Sequence, residues 1–343
     1  MIPNQWYAVL ESKEVKPGKP LGVTRMGEKL VFWRDGAGKL SCLRDLCAHR
    51  GAALSLGKVC GEHIQCPFHG IQYDASGRGR VIPANGKSTP VPERYKVLSY
   101  PIYEGHGFVW IWWGEDPPAD LKPPRFFEDI DEQFSFSSAH DPWQAHYSRV
   151  IENQLDVVHL PFVHYNTIGR GNRTLVNGPV VQWIDPDLMF VYVYNEVDRG
   201  QKPLKPEEIP APYGPFRLEF LFPNLWQNHI SEEVRIVAAF VPVDEERTLL
   251  YLRFYQKFVR TPILRDLFNA LAMPFNLYVA HQDRRVVITQ RPKPSALKAG
   301  EKLIQGDGPI VAYRTRRQAL KEMAEKSRQD IEGKIRRGQW PWR

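Results

Sequence analysis

Along the first third of the chain, apolar residues come in short alternating runs broken by Gly, Pro and Asp, as in KLVFWRDGAGKLSCLRD, where two alternating segments flank DGAGK as the arms of a hairpin would. Residues 1–115 therefore predict a small all-β unit. WWGEDPPADLKPPRFFEDIDEQ has no period and many turn formers, which places a linker at 116–130. The spacing then becomes helical: WQAHYSRVIENQLDVV, residues 143–158, predicts a helix that stops ahead of Pro161, because proline disfavours helical geometry in the residue before it. Between 179 and 260, long alternating runs such as PVVQWIDPDLMFVYVYNEV and RIVAAFVPVDEERTLLYLRFYQKF predict antiparallel strands in a sheet with one covered face. A helix over 262–287 follows and completes a second domain, 131–310. The remainder, 311–343, sets Leu320, Met323, Ile331 and Ile335 among charges, the pattern of an amphipathic helix docked on its own domain. Strands followed by helices of this kind make an α+β chain.

Composition narrows the function more than the fold. The 343 residues carry 46 basic and 39 acidic side chains, a net charge of +7, but the bases are spread along the chain and form no tract for nucleic acid. An acidic protein partner fits that surface as well. The most apolar stretch, GFVWIWWG, is too short to span a bilayer, and the start, MIPNQWYAVLESKEV, lacks the basic-then-apolar order of a secretion signal, so the expectation is a cytoplasmic protein without a membrane anchor. Cys42, Cys47, Cys60 and Cys66 fall in one short window, too local to staple a chain this long. Metal ligation is the better use for some of them.

Within LRDLCAHRGAALSLGKVCGEHIQCPFHGIQYDASG, Cys47 and His49 form C-x-H and Cys66 and His69 form C-x-x-H. Four such ligands could close a structural zinc site. Gly51, Pro67 and Gly70 beside them instead suit loops whose amides approach something anionic, such as bridging sulfide. The segment resembles the Rieske motif, in which Cys47 and Cys66 would hold one iron and His49 and His69 the other. Neutral imidazoles in place of thiolates raise the reduction potential of such a cluster. Cys42 and Cys60 fall outside the motif and read as small buried hydrophobes, and His63 as a loop residue. Arg44, Arg50 and Lys58 flank the ligand loops and could meet an acidic electron donor.

A second constellation follows. In IENQLDVVHLPFVH, Asn153, Asp156 and His159 stand at successive steps of three, which a continuous helix would place on one face, and His164 converges on His159 if Pro161 ends the helix and turns the chain back. Ferrous iron that activates oxygen needs vacant positions, and two histidines with one carboxylate leave them. The order of these motifs resembles the Rieske non-heme iron oxygenases over nearly the whole chain. That resemblance implies Asp283, in NLYVAHQDRRVVITQRP, as the carboxylate, with His281 and Gln282 as non-ligating neighbours. It implies a helix-grip catalytic domain of START type. It also implies a head-to-tail homotrimer in which Asp156 links His69 of one subunit to His159 of the next. With Asp283 at the metal, periodicity brings Asn276, Val279 and Ala280 to the same side.

Asn153, three residues before Asp156, resembles the monooxygenase and demethylase branch; ring cis-dihydroxylases tend to carry one more residue between the two. No nucleotide- or flavin-binding motif is present, so electrons from NAD(P)H would arrive through a separate reductase or ferredoxin. Small-molecule substrate and O2 complete the expected partners, with FLFPNLWQNHISEEV (Phe222, Asn224, Trp226, Asn228, His229) as a candidate wall for an aromatic or polycyclic compound. Two other classes compete: a Rieske electron-transfer protein, which needs only the first motif, and a zinc-stabilised interaction module, which would be colourless.

Overall fold

The structure, a computed structural model, describes residues 1–114, 117–209 and 216–336, with side chains to 329. Two compact units emerge, Asn4–Arg125 and Phe126–Arg343, the latter joined by Met1–Pro3. Among the described residues, no helix is long and apolar enough to cross a membrane.

The first unit is built from short antiparallel strands. β1 (Gln5–Glu11), β9 (Ile102–Gly105) and β10 (Phe108–Trp113) form one sheet in the order β1-β10-β9; β2 (Leu21–Arg25), β3 (Glu28–Arg34) and β4 (Leu40–Arg44) form another; β5 (Lys58–Cys60), β6 (His63–Gln65), β7 (Gln72–Tyr73) and β8 (Gly79–Val81) form a third. The DGAGK segment joins β3 to β4 as its spacing predicts, with Leu30 opposite Arg44 and Arg34 opposite Leu40. A core of Val31, Trp33, Leu43, Leu54, Ile64 and Tyr73 reaches up to Cys47 and Cys66. Cys42 is buried as expected, but Cys60 is only half-buried, its Sγ 3.0 Å from Gln65 Oε1. His63 lies on a strand, not in a loop.

The second unit is one seven-stranded antiparallel sheet: β11 (Ser135–Trp143), β12 (Leu175–Asp185), β13 (Leu188–Glu196), β14 (Arg217–Leu221), β15 (Leu225–Ser231), β16 (Val234–Pro242) and β17 (Thr248–Gln256), in the order β11-β17-β16-β15-β14-β13-β12. Two of its helices are α1 (Tyr147–Leu155) and α2 (Leu160–Val163), and the long α3 (Pro262–Val287) spans the residues expected of it. α4 (Gly308–Arg336) starts three residues ahead of the expected 311; the side chains of Ile331 and Ile335 lie outside the described residues. A large antiparallel sheet gripped by a long helix is the α+β arrangement that the family resemblance implies. The sheet has two covered faces rather than one. Its second face buries Gln227 and Arg235, whose nitrogens both donate to Asp129 of the preceding segment.

The expectation of one helix over 143–158 is corrected. Trp143 ends β11, His146 caps α1 with its ring accepting from the Ser148 amide, and α1 stops at Leu155. Asp156 turns extended (φ −73°, ψ 123°), so Asn153, Asp156 and His159 do not share the face of a single helix. Pro161 does not end that helix either. It sits in the first turn of α2, where its missing N–H costs nothing. A buried ion-pair network holds α1 against α4: Arg314 grips Glu152 with two 2.8 Å hydrogen bonds, and Arg149 reaches Glu152 at 3.2 Å and Glu301 at 2.7 Å.

Candidate metal centres

The two cysteine loops repeat one local design. Cys47 N donates to Ala52 O (2.8 Å) and Gly51 N to Cys47 O (2.9 Å); Cys66 N donates to Ile71 O (2.8 Å) and Gly70 N to Cys66 O (3.1 Å). Each knuckle closes on a glycine at φ +72°, a conformation that side-chain-bearing residues avoid. The cysteines point inward, 3% and 1% exposed, while His49 and His69 are exposed with ring centroids 4.7 Å apart. The structure thus brings all four predicted ligands together, thiols inside and imidazoles at the tip. Tyr73 OH lies 3.2 Å from Cys47 Sγ and from the Ala48 amide. Burial pushes the Cys66 thiol up, which a bound cation would reverse. The flanking cations are unequal: Arg44 is tied to Glu28 at 2.7 and 2.9 Å, and Arg50 lies over the Phe68 ring.

His159, His164 and Asp283 have one ligand atom each within 4.8 Å of one another, the one such group of three histidine, cysteine or carboxylate donors among the described residues. In the trio, Asp283 Oδ1 is 2.9 Å from His164 Nε2 and 3.4 Å from His159 Nε2, and the two Nε2 atoms are 3.3 Å apart. His159 comes from the N-terminus of α2, His164 from its C-terminus, and Asp283 from α3, so four residues of helix turn the two imidazoles toward each other.

Three nitrogens and oxygens this close, with Asp283 Oδ1 buried and making no hydrogen bond, suit a metal better than one another. Burial alone would depress the His159 imidazole, but Asp156 and Asp283 hold it up at about 9. Burial likewise opposes ionisation of Asp283, yet the two imidazoles bring it down to about 2. The charge these groups stabilise on each other stands where a metal ion's would. Asp156, also held below the usual carboxylate range against its burial, accepts from the Val158 and His159 amides at 2.7 and 3.1 Å and lies 3.5 Å from His159 Nδ1.

The trio opens onto a cavity of about 610 Å³ between the sheet and α3. Strand periodicity builds its wall: Trp226 pairs with Ala238 and Ala238 with Leu252, while Leu218 pairs with Asn228 and Asn228 with Ile236, two rows that all face inward. Asn276, Val279 and Ala280 line it from α3 as predicted, and Asn153 contributes a buried amide nitrogen without a partner among the described residues. Of the candidate wall, Trp226 and Asn228 face the cavity. Phe222 packs in the core, Asn224 donates to Phe240 O, and His229 faces Asp129. Sequence reasoning missed Gln154, whose amide reaches Asp283 Oδ2 at 3.4 Å, and the contacts of Gln282, 2.8 Å from His164 Nδ1. Neither glutamine carries a spacing signal, since the contacts depend on how α1 and α2 pack against α3.

A trio of two histidines and one carboxylate under an apolar cavity, in a chain that also carries paired cysteine and histidine loops, is the pattern of the Rieske mononuclear-iron oxygenase class. Residues 5–101 match the Rieske [2Fe-2S] domain, and residues 143–323 match the vanillate O-demethylase oxygenase C-terminal domain. Methylxanthine N1-demethylase NdmA of Pseudomonas putida is 30% identical over 329 residues, 92% of this chain and 88% of that protein. The solved structure of that enzyme with caffeine superposes with a TM-score of 0.74 at 26% identity, covering 94% of this chain and 91% of that one. Dicamba monooxygenase bound to dicamba, 18% identical, shares the fold with a TM-score of 0.72 over 95% of this chain and 99% of that one. Other curated relatives match in part: the shared region is 25% of chlorophyllide a oxygenase of Chlamydomonas reinhardtii, which is 34% identical over 168 residues, 49% of this chain. The chain belongs to the Rieske non-heme iron oxygenases, as an oxygenase component of the monooxygenase and demethylase branch, and its cofactors are the Rieske cluster and mononuclear iron.

Proposed function

We propose that the protein is the terminal oxygenase of a multicomponent system that hydroxylates or oxidatively demethylates an aromatic or polycyclic small molecule. The observation that carries this reading is the His159, His164 and Asp283 trio opening directly onto the apolar cavity. An electron carrier has no use for a second metal site with a substrate-sized chamber over it. Cys47 and Cys66 hold one cluster iron and His49 and His69 the other; when bound, the iron centres supply electron storage and oxygen activation.

The chain's own residues do the rest. Asp156 orients His159, and its charge is placed to couple the imidazole to a cluster histidine, His69, of a neighbouring subunit in a homotrimer. Val157, Leu218, Ile236, Leu250 and Leu252 keep water from the reacting carbon, and Asn195 and Asn228 offer the polar contacts that set the substrate's orientation. Arg170 and Arg173 on the cavity lining favour a ring bearing an anionic or strongly polar group. Asn153, at the same wall, positions the reacting end. Electrons come from NAD(P)H through a separate reductase or ferredoxin in the cytoplasm.

The test is turnover with isotopically labelled O2, a chemical reductant or the cognate reductase, and a panel of methoxylated, N-methylated and unsubstituted aromatics. One labelled oxygen atom in the product, or formaldehyde release from a methylated one, is expected. Cluster oxidation without label in any product, together with no iron beyond the cluster, would place the protein among electron-transfer proteins.

A further inference from the structure

Gln282 is 9% exposed and its amide is held on three sides. Its Oε1 lies 2.8 Å from His164 Nδ1 and accepts from Thr167 Oγ1 at 2.8 Å; its Nε2 donates to Asn166 Oδ1 at 2.8 Å. All three partners belong to one turn, His164 to Thr167, at the end of α2. We propose that Gln282 is a positioning residue that fixes the tautomer and ring plane of His164 so that Nε2 faces the metal, and that Asn166 fixes which end of the Gln282 amide meets the imidazole. The inference rests on the reading of His164 as an iron ligand.

The chemistry is that of donors and acceptors. A carbonyl oxygen can only accept, so Nδ1 of His164 must carry the proton, and a neutral imidazole with that proton on Nδ1 has its lone pair on Nε2. Nε2 is the atom 2.9 Å from Asp283 Oδ1 and 3.3 Å from His159 Nε2. Turning the Gln282 amide over would set an NH2 against Nδ1, move the ring proton to Nε2 and remove the ligating lone pair. It would also set oxygen against oxygen at Asn166, so Asn166 resists the turn. Successive residues on a helix project about 100° apart. Gln282 and Asp283 therefore reach the same imidazole from α3 at its two different edges, and one helix places both a ligand and the lock on another ligand. His159 has no such amide; its Nδ1 faces a carboxylate, Asp156. A neutral lock thus stands on one imidazole and a charged one on the other.

Affinity of the mononuclear site for Co(II), titrated into protein with an intact cluster and an emptied iron site, tests this. Gln282→Leu keeps the volume and loses the acceptor, and is expected to weaken Co(II) binding roughly 10- to 100-fold with the cluster spectrum unchanged. Gln282→Glu, which can still accept from Nδ1 but sets its second oxygen against Asn166 Oδ1, is expected to restore part of that affinity; a packing role alone would favour Leu over Glu. Asn166→Ala, at an exposed position, is expected to weaken binding by less. Gln282→Leu that binds Co(II) as tightly as wild type overturns the proposal; should that variant not fold, unchanged affinity in Asn166→Ala overturns it instead. Wild-type protein that binds no Co(II) would refute the ligand assignment itself, which separates the two failures.

Discussion

The two metal sites are built on opposite plans. The cluster loops take all four ligands from residues 47–69, each loop closing on its own backbone with the same pair of hydrogen bonds and the same left-handed glycine. The proposed mononuclear site takes two histidines from the ends of one short helix and Asp283 from α3, where the neighbouring Gln282 stands 118 positions from His164. A site made by local turns depends little on the rest of the fold. One made by packing fails when the packing does.

Asp283→Ala should give the largest effect. It removes one of the three proposed iron ligands and is expected to abolish turnover and the third iron while leaving the cluster absorption intact; retained activity would mean that another carboxylate serves. Glu152→Ala, central to the α1–α4 network, leaves Arg149 and Arg314, buried at 2% and 3% exposure, with Glu301 as their one remaining shared carboxylate. A loss of about 3 kcal/mol, the low end for a broken buried pair, is expected from a denaturant titration of the second unit, with the cluster unit unaffected. Asp156→Asn keeps an oxygen for the Val158 and His159 amides but loses the charge beside His159. Both metals should stay, with electron transfer slowed about 10- to 100-fold in single-turnover kinetics. The smallest effects probe the repeated loops against each other. A Cβ on Gly70 would meet Pro83 Cγ at 3.1 Å and Gln65 Nε2 at 3.2 Å, whereas one on Gly51 meets only Leu46 Cδ1 at 3.5 Å. Both alanine variants bear the left-handed backbone cost of about 1 kcal/mol, and Gly70→Ala should melt lower than Gly51→Ala by the added crowding.

The same contrast explains what could be read before the fold was known. Cys47, His49, Cys66 and His69 were legible because their geometry is sequence-local, and the β3–β4 hairpin because DGAGK carries its own turn. The bounds of the 262–287 helix were legible too, although Pro274 stands inside it. The break at Asp156 was not: the residues either side of it keep helical spacing, and the extended turn is held by Asp156 capping Val158 and His159 and by Asn195 gripping Val157 O at 3.1 Å from β13. Pro161 was read as a helix stop when it begins a new helix, since proline serves either end of that grammar. Asp283 came from resemblance alone, because no pattern around residue 283 announces which carboxylate α3 will aim at two histidines more than a hundred residues earlier. The buried second face of the sheet was hidden for a like reason, its polar residues being neutralised by Asp129, outside the strands.

Iron, zinc and acid-labile sulfide analysis of the purified chain, read with its absorption spectrum, bears most directly on the two-site account. About three irons and about two sulfides per chain, with a visible Rieske spectrum, are expected from one cluster plus one facial site. Two irons and two sulfides would leave His159, His164 and Asp283 without a metal and contradict the oxygenase reading; zinc without sulfide would contradict the cluster as well.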